Sequence, residues 1–153
     1  LDFDFSLVKQ QSRDNPVFYV QYAHARCCSV LRNSLEAGFS SDQVSDLGLG
    51  EVDLSLLTHE AETALIKQLA SYPRIILAAA DALEPHRLAF FCQEVAASFH
   101  SIWNLGKDNA ELRFILEDKP ELSLARLALL RATAIVIANC LELIGVEPQA
   151  EMR

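Results

Sequence analysis

DNPVFYVQYAHARCCSVLRN, residues 14–33, decides the fold. Asn15 can accept hydrogen bonds from the free amides of a helix start, and Pro16 suits the first helical position, where its missing N–H costs nothing. Behind that cap, Val17, Val20, Cys27, Cys28, Val30 and Leu31 supply apolar contacts over most of five turns. Tyr19, Tyr22, Arg26, Ser29 and Asn33 recur at alternating steps of three and four and so share one stripe of the helix. Such a stripe can stack on a flat ligand, pair with an anion and read hydrogen bonds from a rigid element. It equally suits a boundary helix whose tyrosines lie half in the core.

Outward from this helix, expected to run from 16 to about 37 with Gly38 as a left-handed stop, residues 39–57 read as a loop between helices. Thr58 is placed to cap the next helix, whose apolar face (Leu65, Ile66, Leu69, Tyr72) runs until Pro73. Residues 75–83 are apolar nearly all round, which predicts a helix central to the core. Pro85 opens a further helix with unbroken 3–4 spacing from Leu88 to Trp103. A polar connection, 105–121, leads to a last helix over 122–144 that stops at Gly145. No strand pattern follows residue 6. The fold class is therefore all-α, a helical bundle of about five helices. Residues 1–13 read as a linker or strand remnant of a preceding domain, and 14–153 as the helical domain; the opening at Leu1, inside an alternating pattern, reads as a piece cut from a longer protein.

A chain of 153 residues with 51% hydrophobic residues, 5 Gly and 5 Pro is long enough for one well-buried core. Its apolar runs read as too short to span a membrane, and no basic, apolar leader stands at its start. Cys27, Cys28, Cys92 and Cys140 lack C-x-x-C spacing and read as structural thiols of a reducing cytosol. His24, His59, His86 and His100 form no metal-ligand pair, and no serine elbow or phosphate-binding glycine loop is present. The net charge of −8 opposes long-range attraction to nucleic acid. Unpaired bases, however, can be read by stacking and edge hydrogen bonds with few phosphate contacts.

The segment Asn15-Pro-Val-Phe-Tyr-Val-Gln-Tyr-Ala-His-Ala-Arg26 resembles the opening of the C-terminal anticodon-binding domain of arginyl-tRNA synthetases. Glu84–Ala89, Phe99–Asn104, Arg126–Leu129 and Leu143–Val146 are similar to later helices of that domain, in order. The resemblance implies a partner, tRNA(Arg), and a catalytic domain in the same chain. It implies a cytoplasmic protein without membrane attachment. ATP with Mg²⁺ would serve the full-length ligase; no cofactor is expected in this fragment, which lacks the catalytic domain's signatures and is expected to be inactive alone. It also implies that Tyr22, Arg26 and Arg32 face the anticodon loop, joined by the aromatic pair Phe99 and Trp103 and by Met152 in the tail. On residue type alone, Phe99 and Trp103 also fit core packing, and Met152 a frayed terminus. A helical protein–protein interaction module is the alternative that the acidic balance favours.

Overall fold

The computed structural model describes residues 14–152; residues 1–13, where the linker or strand remnant was expected, lie outside the described residues. Asn15 is extended (φ −89°, ψ 108°), and its side chain accepts from the amides of Val17 and Phe18 to open α1 (Pro16–Glu36). The stop is Gly38 at φ +98°. There the Phe39 amide donates to the Ser34 carbonyl (3.1 Å) and the Gly38 amide to that of Leu35 (3.2 Å), the paired bonds of a Schellman ending.

Residues 39–57 are more ordered than a loop reading implies. They hold a one-turn helix, α2 (Asp46–Gly50), and a 3₁₀ turn (Leu54–Leu56), and they bury Leu49 and Leu57. Segments this short carry no helical period to read. They are fixed instead by side-chain caps from Ser45 and Asp53, and by the Arg131 guanidinium, which forks onto the Asp46 carboxylate at 2.6 and 3.1 Å. The cap of α3 (Glu60–Ala70) is His59 rather than Thr58. Its ring nitrogen accepts from the Ala61 amide while its own amide donates to Glu62 (3.1 Å).

Pro73 does not interrupt the helical path for long. It sits in the first turn of α4 (Tyr72–Ala82), which buries only Tyr72 and Ala79 and leaves Leu77 64% exposed, contrary to the central position expected of it. An all-apolar sequence says that every side of a helix tolerates burial, not that partners exist on every side. Next comes α5 (His86–Asp108), longer than expected at its C-terminal end, then a 3₁₀ turn (Ala110–Leu112) and α6 (Pro120–Leu143). Five of these α-helices exceed ten residues, and no strand occurs among the described residues.

The core helix is α6, which packs against α1, α3 and α5 and buries Ala125, Leu127, Leu130, Ile137 and Leu141. Contrary to the sequence reading, it is long and apolar enough to cross a membrane, with mean hydropathy 1.7, but 61% of that window is buried in the bundle. Inside this apolar helix Arg126 is nearly fully buried. Its Nε donates to Glu62 at 2.6 Å, and its Nη1 donates to the carbonyls of Glu111 (2.8 Å) and Arg113 (2.7 Å). One guanidinium thus ties α6 to α3 and to the 109–116 segment, and Ser123 adds a bond from the Leu116 amide (2.8 Å).

Candidate nucleic-acid interface

Side by side, α1 and α5 bring Tyr22, Arg26 and Trp103 into one cluster. The Arg26 guanidinium lies between two rings, its carbon 4.3 Å from the centre of Tyr22 and 4.5 Å from that of Trp103. It also donates to the Tyr22 hydroxyl at 2.5 Å. Each cation–ring contact contributes on the order of 0.5–2 kcal/mol, more as water is excluded. Phe18 stacks on the outer side of Tyr22 (6.1 Å, 9°), and His100 lies 6.0 Å from Tyr22 and 4.5 Å from Tyr19.

The cavity beside this cluster measures about 520 Å³, within the range of small-ligand sites. Tyr22, Ala25, Arg26, Ser29, Arg32, Trp103, Glu151 and Met152 line it. Five of the six residues singled out from the sequence therefore share one wall system. Phe99 does not join them. It is 1% exposed, lies beneath Trp103 (6.1 Å) and beside Phe114 (6.0 Å), and has no face open to a ligand. Positions 99 and 103 lie one turn apart, and the slight rotation between them puts one ring inside and the other at the boundary.

Met152 reaches the cavity because three side chains of α1 hold the tail. Gln21 donates to the carbonyl of Glu147 (2.9 Å), His24 Nδ1 to that of Gln149 (2.8 Å), and Arg32 to that of Ala150 (3.2 Å). Arg32 also stands 3.6 Å from the Glu151 carboxylate, so its charge is partly met within the chain. Since a carbonyl only accepts, His24 carries a proton on Nδ1, and its ring stands 3.9 Å from the Cys28 sulfur.

The acidic balance is misleading locally. Among the described residues, the Arg and Lys side chains with no carboxylate in salt-bridge range are Arg26, Lys67, Arg74, Lys107 and Arg113. Arg26, Lys107 and Arg113 line the cavities that meet at Trp103 or Tyr22. Lys107 and Arg113 escaped the sequence reading, although Lys107 falls one turn after Trp103 on the same helix.

A model of the DALR anticodon-binding domain matches residues 20–152. The chain belongs to the DALR anticodon-binding domain family. The DALR domain described here is 56% identical over its full length to an arginine–tRNA ligase of Parvibaculum lavamentivorans, of which it spans 26%. With one from Rhodospirillum rubrum the identity is 53%, again over 100% of the domain and 26% of the relative. Among solved structures it resembles the arginyl-tRNA synthetase of Thermus thermophilus, with a TM-score of 0.76 and 30% identity over 99% of the domain and 24% of that chain. The domain thus spans about a quarter of the length of the relatives it matches, and its helical bundle is the architecture it shares with the matched part of the Thermus thermophilus structure.

Proposed function

We propose that this chain reads the anticodon loop of tRNA(Arg), as the tRNA-binding part of an arginine–tRNA ligase whose ATP- and Mg²⁺-dependent chemistry resides in a catalytic domain outside these residues. The observation that carries the reading is the Tyr22–Arg26–Trp103 cluster. Aromatic rings and ion-pair-free cations gather there, while most of the other cations among the described residues sit beside carboxylates. Rings stack on any unpaired base, worth roughly 1–3 kcal/mol per base, while the cations meet phosphates. Arg26 now fills the space between the two rings, so a base enters that space only as the guanidinium swings out to the backbone or the base edge. Glu151 at the cavity rim supplies an acceptor that suits the exocyclic amine of cytosine. Arg32 and Met152 complete the wall, and Phe99 supports Trp103 from below without touching RNA. No chemical step is assigned to these residues.

Relatives about four times as long imply a neighbour within one polypeptide, and Leu77, Leu83 and Phe90, exposed at the α4–α5 edge, suit its apolar contact. The test of function is titration of the chain with a tRNA(Arg) transcript and with one whose middle anticodon cytosine is replaced. Tighter binding of the first by about tenfold or more supports the reading; equal binding refutes it. With only three ion-pair-free cations at the site, log K should fall with log salt at a slope near −2, shallow for a nucleic-acid-binding protein.

A further inference from the structure

Beside the Tyr22–Arg26 stripe, α1 carries a second one: Gln21, His24, Cys28 and Arg32 recur at steps of three and four. Three of these side chains reach the C-terminal tail, and each ends on its main chain. Gln21 donates to the Glu147 carbonyl, His24 to that of Gln149 and Arg32 to that of Ala150. The bonded positions rise together, so the tail runs along α1 in the same direction. A turn at the end of α6 sends it there. With Gly145 at φ +79°, the Val146 amide donates back to the Leu141 carbonyl (2.8 Å), and the chain leaves α6 beside Gln21.

Water meets a surface carbonyl almost as well as a side chain does, so the bonds to exposed Glu147 and Ala150 add little to stability. What they add is register. Every residue carries the same main-chain carbonyl, so the clasp fixes how far along α1 the tail sits, whatever side chains 147–150 bear. Glu151 and Met152 directly follow the last clasped carbonyl, and both line the 520 Å³ cavity with Tyr22, Arg26 and Trp103. Arg32 adds an ion pair to Glu151 at 3.6 Å. Gln21 and His24 lie outside that lining.

We propose that Gln21 and His24 are positioning residues of the RNA site. With Arg32 they clasp the tail's backbone at a fixed register, so that Glu151 and Met152 close the cavity. The proposal rests on the anticodon-loop reading of that cavity. The clasp measures the length of the tail and not its sequence, and neither Gln21 nor His24 touches the RNA.

The test titrates the 153-residue chain and its variants with a short RNA hairpin bearing the tRNA(Arg) anticodon loop. Gln21→Ala, His24→Ala and one alanine inserted after Ala150 each misplace Met152; the insertion leaves the three clasp bonds and α1 intact. Each should weaken binding about fivefold, the scale of one sulfur–ring contact. His24→Asn, whose amide N–H stands where the Nδ1–H does, should restore most of what His24→Ala loses. In a chain already carrying Glu151→Ala and Met152→Ala, adding Gln21→Ala should cost nothing further, whereas a bond that only stabilised the fold would weaken binding equally in both backgrounds. If Tyr22→Ala loses affinity while Gln21→Ala and the insertion bind like the unmodified chain, the clasp is refuted and the anticodon-loop reading stands. Equal losses from Gln21→Ala in the two backgrounds, or a His24→Asn variant as weak as His24→Ala, refute the clasp as well. If the unmodified chain does not bind the hairpin, both fall.

Discussion

Replacing Arg126 by alanine tests how the site is held in place. The substitution leaves the Glu62 carboxylate, 5% exposed at its side chain, without its charge partner. Breaking a buried pair from one side costs about 3–5 kcal/mol, because the remaining charge stays out of water. The carbonyls of Glu111 and Arg113 lose their donor as well, which adds roughly 1 kcal/mol. A total near 5 kcal/mol approaches the whole stability of many domains, about 5–15 kcal/mol. At roughly 2–4 °C per kcal/mol for a chain of this size, the midpoint followed by circular dichroism at 222 nm should drop by roughly 10–20 °C. The double variant Glu62→Leu/Arg126→Met removes both charges and should recover most of that loss. A fall of less than about 1 kcal/mol for Arg126→Ala, or a double variant worse than the single, would refute the view that this buried pair anchors the 109–116 segment.

Other outcomes follow from single positions. Leu83 is left-handed at φ +56° and 87% exposed, so Leu83→Gly relieves about 1–2 kcal/mol of backbone strain against about 0.4–1 kcal/mol of added chain entropy; urea unfolding should show a gain of up to about 1.5 kcal/mol. At Gly48 an added Cβ would overlap the Asp42 carbonyl oxygen and stand 2.8 Å from that of Gln43, so Gly48→Ala should cost about 1–3 kcal/mol and speed amide exchange across 40–50. Cys28 is half-buried while Cys27, Cys92 and Cys140 are closed to solvent, so one thiol should react with a maleimide in the native chain. The hydrogen bond with His24 holds the Cys28 thiol below its ordinary range against the opposing effect of burial, with help from Arg32 and Arg131. Its reaction rate should therefore reach half-maximum below pH ~8.5, and His24→Ala should move that midpoint upward. Because the folded value is the lower one, the associated stability is present above the ordinary thiol range and is lost as pH falls through the folded value.

What was legible in the sequence was local. Asn15, Pro16 and Gly38 act within four residues of themselves, so the limits of α1 were readable, as was Gly145 (φ +79°) ending α6. The stripe Tyr22–Arg26 needed only helical period. Burial was harder to read, because it depends on what packs opposite. Phe99 and Trp103 share one helix and one spacing, and Phe114 lies about as close to one ring (6.0 Å) as to the other (6.2 Å), yet Phe99 is buried and Trp103 only half-buried. The exposure of α4 has the same origin: its sequence is core-like, but the bundle offers it one neighbour face. Arg126 and Glu62 are 64 residues apart, and nothing in either neighbourhood marks them as a pair. How the tail is held was unreadable for a related reason, although the resemblance pointed to Met152. Its bonds run from α1 side chains to its own backbone carbonyls, which leave no trace in residue type.

The most direct measurement is a double-mutant cycle between protein and RNA. The chain and its Tyr22→Ala and Arg26→Ala variants are each titrated with the anticodon hairpin and with the same hairpin made abasic at the middle anticodon position. If that base lies in the cavity of Tyr22, Arg26 and Trp103, removing the base and removing either side chain are strongly non-additive, with a coupling of about 1–3 kcal/mol. Strict additivity, with both variants losing as much affinity for the abasic hairpin as for the intact one, would place that base elsewhere and contradict the assigned interface.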